Sequence, residues 1–222
     1  MIMDNGVVYL FLQKRGFTPK RERTEITMKD IILASASPRR REILEGLGVS
    51  FRILPADADE TCDLTDPAAF VRELARRKGQ AVYSSLSHKE RKDAVILSAD
   101  TVVVLDGQIL GKPRDRDEAI RMLTALSGRD HAVLTGIGVT VGGVTHTAAE
   151  STTVHVDEIP TEALLAYVDS GDPMDKAGSY GIQGSFSRWI RGIDGCYFNV
   201  VGLPVNRLNH LYHTCTGDYL GE

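Results

Sequence analysis

An α/β fold is the class this sequence predicts, and three observations predict it. Short apolar runs of strand length, at residues 31–34 and 94–97, alternate with stretches whose apolar residues recur at helical spacing, such as Phe70, Val71, Leu74 and Ala75. Turn residues such as Asp106-Gly107, Ser127-Gly128 and Gly142-Gly143 punctuate the alternation. No internal repeat or low-complexity linker interrupts it. At 222 residues, with 42% hydrophobic and 25% charged side chains, the chain has ordinary globular usage and the length of one large domain or two small lobes.

Each element has a local reason. The strand at 31–34 stops at Ser35-Ala36-Ser37-Pro38, where a Ser37 hydroxyl cap followed by proline opens a helix. Ile43, Leu44 and Leu47 give that helix an apolar stripe, and Gly48 ends it. Residues 49–54 read as a second strand. Asp66-Pro67 opens a long helix to about Tyr83, followed by a polar loop over 84–92. Residues 94–97 run through Ser98-Ala99-Asp100-Thr101 into 102–105, and Asp106-Gly107 turns the chain into a partner strand at 108–110. A helix over 117–126 precedes two alternating strands, 131–141 and 145–156, and another helix covers 162–168. The glycine-rich stretch 175–184 fits no regular element, Trp189 reads as a packing residue, 190–195 carries a turn, and 204–212 is a last helix.

Composition removes several function classes. Twenty-six Lys and Arg against 30 Asp and Glu leave a formal charge of −4, and aromatic residues are 6%. A nucleic-acid binder shows a basic excess, and a single-strand platform needs aromatics to stack bases, so no nucleic-acid partner is expected. No apolar run approaches the roughly 20 residues of a membrane helix. Cys62, Cys196 and Cys215 are odd in number, widely spaced and without a CxxC pair, which disfavours a disulfide scaffold or structural zinc site and fits a reducing compartment. His210 and His213 stand at i, i+3, and without a third ligand nearby they read as surface residues. Residues 1–30 open with Asp4, an apolar run of six residues and then a basic stretch, unlike a secretory signal, while Glu22 and Glu25 argue against a mitochondrial presequence. They read as an extension, with the functional domain at 31–222 and a cytoplasmic location.

Three segments could hold chemistry. Where the first strand meets its helix, free backbone N–H groups and the helix dipole favour an anion, Ser35 and Ser37 add hydroxyls, and Arg39, Arg40 and Arg41 add cations. The plain alternative is a capped helix with a solvated basic turn, although three arginines at a helix start oppose the dipole and call for an anionic partner. Asp100 lies between apolar stretches, where a carboxylate needs a metal, a cation or donors; the alternative is a turn aspartate bound to backbone amides. Glu60, in Asp57-Ala58-Asp59-Glu60, and Lys112, in Gly111-Lys112-Pro113, complete the parts for metal-assisted chemistry on a polyphosphate. Asp175 to Gly184 has three glycines in seven residues, with Tyr180 offering a stacking ring and Gln183 a base-edge amide. Its alternative is a mobile surface loop. Neither a Walker A motif nor GxGxxG after a strand is present.

Together these segments resemble the Maf family of nucleotide pyrophosphatases, within the group with the inosine-triphosphatase-like fold. The resemblance rests on Leu33-Ala34-Ser35-Ala36-Ser37-Pro38-Arg39-Arg40, Ser98-Ala99-Asp100-Thr101-Val102-Val103, Gly111-Lys112-Pro113, Leu126-Ser127-Gly128, the 175–184 stretch and Val201-Gly202-Leu203-Pro204, in the family's order from Ile31 to about Leu211. It implies an elongated mixed β-sheet flanked by helices, with two lobes around a substrate cleft. It also implies cleavage of a nucleoside triphosphate between the α- and β-phosphates with a divalent metal cation (Mg²⁺, Mn²⁺ or Co²⁺), and a homodimer. By position, Asp100 resembles the catalytic carboxylate and metal anchor, Glu60 its acidic partner and metal ligand, and Lys112 a phosphate-binding lysine counted with the catalytic set. Lys78 falls near another family lysine, one residue closer to Glu60 than the usual spacing. Ser35, Ser37 and Arg39 match the phosphate cradle. Arg40, Thr101 and Gln183 match the branch acting on dTTP, UTP and modified pyrimidine triphosphates, and the tryptophan, glutamine and Lys-Ser-Glu features of the 7-methyl-GTP branch are missing. The alternative function is a nucleotide-binding regulator of cell division or septum formation with little turnover.

Overall fold

The computed structural model describes residues 29–222, so the expected extension lies outside the described residues apart from its last two positions. The elements in chain order are β1 (Asp30–Leu33), α1 (Pro38–Gly46), β2 (Arg52–Ile53), α2 (Pro67–Ser85), β3 (Ala94–Leu105), β4 (Gln108–Leu110), α3 (Arg116–Leu126), β5 (Asp130–Val141), β6 (Val144–Val156), α4 (Thr161–Asp169), β7 (Ile190–Asp194), α5 (Tyr197–Val201) and α6 (Val205–Thr216). The α/β class is borne out: a seven-stranded mixed sheet runs β2-β1-β3-β5-β6-β7, with β4 also paired to β3. β1 is parallel to β2 and β3, as helical crossovers require, whereas β3, β5, β6 and β7 join as antiparallel neighbours.

Local sequence explains most boundaries. Pro38 stands in the first turn of α1, and Asp66 caps α2 by accepting from the Ala69 amide at 2.7 Å. Asp115 caps α3 through the Glu118 amide, and the helix starts at Arg116, one residue earlier than predicted. Asp106 and Gly107 both take positive φ, as a two-residue hairpin turn demands.

Four expectations change. The strand expected over 49–54 contracts to Arg52–Ile53 at the sheet edge, where one neighbour supplies its pairing. Leu47 is exposed, because the chain leaves α1 at Gly46 and turns its side chain outward. The turn expected over 190–195 is strand β7, since Ile190–Asp194 meets the outer edge of β6. Ser37 starts α1 without a side-chain cap; instead its amide donates to the Ser35 hydroxyl at 3.2 Å.

The core divides along the two long strands. One cluster gathers Val95, Leu97 and Ala99 of β3 and Ile137 and Val139 of β5 with Leu44 and Leu208. A second gathers Val103 and Leu105 of β3 and Val133 of β5 with Leu123, Leu126 and Leu164. Residues 100–102 of β3 lie between the two. Along the same stretch β3 lacks a neighbour on one edge, because β1 pairs as far as Leu97 and β4 begins at Val103. A notch between two cores, beside the carboxyl end of a parallel strand, is where open α/β sheets place ligands.

Candidate active site

A cleft of about 910 Å³ opens at this notch, and all ten sequence-predicted residues line it: Ser35, Ser37, Arg39, Arg40, Glu60, Lys78, Asp100, Thr101, Lys112 and Gln183. Their elements are separate in sequence, so the sheet and α2 bring them together.

Asp100 is not a turn residue. It sits inside β3 and pairs with Gly136 of β5, so both positions face the same side of the sheet. On that side lies α2, whose Val71, Leu74, Ala75 and Val82 form the buried stripe. Lys78 falls within this stripe at helical spacing and therefore points at the sheet rather than at solvent. The helix comes close because residues under it are small: a Cβ at Gly136 would stand 2.7 Å from the Arg72 nitrogen and closer still to the Val71 carbonyl. The Ser98 hydroxyl donates to the Ala75 carbonyl at 2.7 Å and fixes the height of the helix.

This close docking carries the Lys78 ammonium to 2.6 Å from Asp100 Oδ1 and 2.7 Å from Glu60 Oε1. Lys78 and Asp100 are 15% and 13% exposed, whereas Glu60 is 63% exposed on an irregular loop. Arg77 orders that loop by donating to the carbonyls of Asp59 and Thr61, on either side of Glu60, at 3.2 and 2.6 Å. The bond from Lys78 is the main cause holding the Glu60 carboxyl below its ordinary range, with Lys112 and Arg40 adding smaller pulls. Two carboxylates thus converge on one cationic point.

The three arginines of α1 have separate fates. Arg41 pairs with Glu45 in its own helix at 2.7 Å, outside the cleft. Arg39 reaches Asp175 on the glycine-rich stretch at 3.3 Å. Arg40 turns inward and meets neutral acceptors: the Gly202 carbonyl at 2.8 Å, the Ser35 hydroxyl at 3.1 Å and the Thr101 hydroxyl at 3.1 Å. Thr101 continues the chain to Thr135, whose hydroxyl donates to the Asn199 carbonyl. Burial pushes the Arg40 guanidinium below its ordinary value while Asp100 pulls it back up; an arginine in this setting stays charged. Of the three arginines, Arg39 and Arg40 line the cleft and Arg41 does not.

The opposite wall is the stretch from Asp172 to Gly184, a series of short 3₁₀ turns. Lys176 is held by Asp172 and Asp175 at 3.0 and 2.7 Å, and the Gly178 amide donates to the Gly111 carbonyl at 3.0 Å, joining this wall to the hairpin that carries Lys112. Lys112 and Gln183 are exposed at the cleft. Tyr180 does not offer the open stacking face expected of it: its ring is 5% exposed, packs on Phe186 and bonds His131. The sequence reading passed over Gly136 and Gly138, although glycine inside a strand signals close backbone approach. It also passed over Asp175 as the anion that meets Arg39.

The chain matches the Maf-like protein family model over residues 30–215. It is 47% identical over 194 residues to the dTTP/UTP pyrophosphatase of Agathobacter rectalis, covering 82% of this chain and 95% of the relative. It is 48% identical over 185 residues to the dTTP/UTP pyrophosphatase of Pelotomaculum thermopropionicum, covering 82% and 94%. The protein of that name from Thermococcus kodakarensis is 47% identical over 175 residues, covering 79% and 91%. The family model spans the segment that builds the sheet, α2 and the cleft, and the relatives are covered to 91–95% of their length, so this chain belongs to the Maf-like protein family.

Proposed function

We propose that this protein hydrolyses nucleoside triphosphates, dTTP and UTP foremost along with modified pyrimidine triphosphates, to the monophosphate and pyrophosphate. The observation that carries the reading is the convergence of Asp100 and Glu60 on Lys78 beside the Arg40–Ser35–Thr101 cluster. One cleft then offers carboxylates to a reacting water and fixed cations to a polyphosphate. The relatives bear the names of enzymes, which favours turnover over a binding-only regulator.

The donor set fits a hard divalent cation. Asp100 and Glu60 each give one carboxylate oxygen to Lys78 and keep the other for a cation, and Mg²⁺ is ordinarily held by one or two carboxylates together with substrate phosphates. Among the described residues no group of three or more His, Cys, Asp or Glu forms a metal cage. When bound by Asp100 and Glu60, Mg²⁺, Mn²⁺ or Co²⁺ would neutralise phosphate charge and acidify water. The chain's own groups do the rest. Asp100 accepts the proton of the water that attacks the α-phosphorus; the bond to the bridging oxygen breaks and its electron pair leaves with pyrophosphate. Lys78 orients both carboxylates. Arg39, Ser35, Ser37 and Lys112 hold the polyphosphate and stabilise charge on the departing group. Arg40, Thr101 and Gln183 recognise the pyrimidine.

The functional domain is assigned to residues 31–222, supported by the family match over 30–215. A cytoplasmic location is proposed, supported by three cysteines that remain free thiols. A homodimer without nucleic-acid or membrane partners is proposed from the family resemblance and the charge of −4; among the described residues no helix is long and apolar enough to cross a membrane. The test is pyrophosphate release from a panel of canonical and modified triphosphates with each metal. Asp100→Asn should fold normally and lose about 10²–10⁴-fold in kcat on dTTP, the usual worth of a positioned base. Turnover near the wild-type rate in that variant would remove Asp100 from the role.

A further inference from the structure

The second core holds a buried polar pair that the reaction does not use. His131, at the start of β5, is 4% exposed, and its Nε2 lies 2.6 Å from the hydroxyl of Tyr180, itself 5% exposed. The two rings meet edge-on at 5.3 Å. Burial lowers the imidazole pKa to about 4, so it is neutral at physiological pH, and its Nδ1 has no partner among the described residues. A phenylalanine pair would fill the same space without desolvating two polar groups, so packing does not account for this choice.

The position of the pair does account for it. Tyr180 is the last buried residue before Gly181-Ile182-Gln183-Gly184, which line the cleft. The residues just before it are also held: Gly178 lies against Val103 with positive φ, and buried Ser179 takes φ 64, a conformation uncommon for a residue with a side chain. Such outliers persist where surrounding structure over-determines them. After Tyr180, Gly181 and Ile182 are half-buried, Ile182 against the first core, and the chain is exposed only from Gln183 to Ser185 before Phe186 returns to the second core against the Tyr180 ring, at 4.7 Å. Gln183 therefore stands on a short arch that leaves the second core at Tyr180, rests Ile182 on the first core and re-enters at Phe186.

We infer that the His131–Tyr180 bond is a positioning device for Gln183, fixing the point at which the arch leaves the core and thereby the discrimination among pyrimidine bases. The inference rests on the proposed pyrimidine triphosphatase reading for Gln183. His131 does not line the cleft and Tyr180 reaches its wall with a ring only 5% exposed, so the pair acts through the arch.

Tyr180→Phe removes the bond and keeps the ring. Its kcat/KM for dTTP over dCTP should fall roughly three- to tenfold, the span of one buried hydrogen bond, mainly through KM for dTTP. In a Gln183→Ala background the same change should add nothing to the loss of selectivity. His131→Phe should act alike, and if it fails to fold, Tyr180→Phe decides. A lowered melting temperature with a selectivity ratio within twofold of wild type would overturn the inference and leave the pair a core contact. Amide hydrogen exchange over 181–185 separates this from the functional reading. If the wild-type protein hydrolyses no triphosphate, that reading fails, and exchange alone decides the pair: faster exchange in Tyr180→Phe supports it, and unchanged exchange overturns it.

Discussion

Gly136→Ala tests how the fold builds the site. Gly136 stands opposite Asp100 across the β3–β5 ladder and under the first half of α2. A methyl group there would lie 2.7 Å from the Arg72 nitrogen and nearer to the Val71 carbonyl, both backbone atoms that cannot rotate away. Restoring ordinary contact near 3.5 Å requires α2 to withdraw by on the order of 1 Å. Overpacking of this kind costs about 1–3 kcal/mol, and backbone against backbone places it at the upper end. For a chain of this size about 3 kcal/mol lowers Tm by roughly 6–12 °C. The same withdrawal carries Lys78 from 2.6 Å beyond bonding distance of Asp100. Misplacement of about 1 Å at a reacting group can cost on the order of 10²-fold in rate. The assay is differential scanning calorimetry with pyrophosphate release measured well below the variant's transition. Gly46→Ala is the control: nothing lies within 4 Å of that position, so it should leave Tm level or raise it slightly. A Gly136→Ala protein with Tm within about 2 °C of wild type and turnover within about twofold would refute the claim that helix proximity assembles the site.

Two further outcomes follow from the charges. Asp175 holds Arg39 at 3.3 Å across the cleft, with Asp175 60% exposed; under the proposed function a substrate phosphate would compete for the same guanidinium. Asp175→Asn should lower KM for triphosphate by up to about fivefold with kcat unchanged, within the range of an exposed ion pair; steady-state kinetics showing a raised KM would exclude competition between carboxylate and phosphate. His155 lies between Asp130 and Asp194 at 2.9 and 3.0 Å, and these bonds, Asp130 first, raise its pKa above the ordinary 6.5. A raised folded value means that the added stability is fully present below pH 6.5 and is lost as pH rises through the folded pKa. The Tm difference between wild type and His155→Gln should be widest near pH 5.5 and close towards pH 9; a difference that grows with pH would refute it.

Much of the molecule was legible without coordinates. Proline at the start of α1, the aspartate opening α2, the Asp106-Gly107 hairpin and the two long strands follow from local chemistry acting within a few residues. Ser35, Ser37, Arg39 and Arg40 stood out as cleft candidates because serines and arginines at a strand-to-helix junction have few other uses. Elements that depend on partners were not. Residues 190–194 carry Gly192 and turn-like composition, yet become a strand because β6 presents an open edge. Tyr180 looked like a ligand contact in a glycine-rich loop, but its ring had a core to enter and a histidine to meet. Lys78 could have been read from residues alone, as the one charge in an otherwise apolar helical stripe.

The sequence by itself determined the class of fold, the order of elements and the inventory of carboxylates, cations and hydroxyls, since these depend on side-chain type and short-range spacing. Only the tertiary structure decided that Glu60, Lys78 and Asp100 share one point. It also decided that Arg40 and not Arg41 turns inward, and that Asp175 answers Arg39. The first outcome depends on how closely α2 settles on β3 and β5, a distance set by the absence of a side chain at Gly136; the other two depend on partners far along the chain, at Thr101, Gly202 and Asp175, and a pattern read along one segment does not reveal what packs against it.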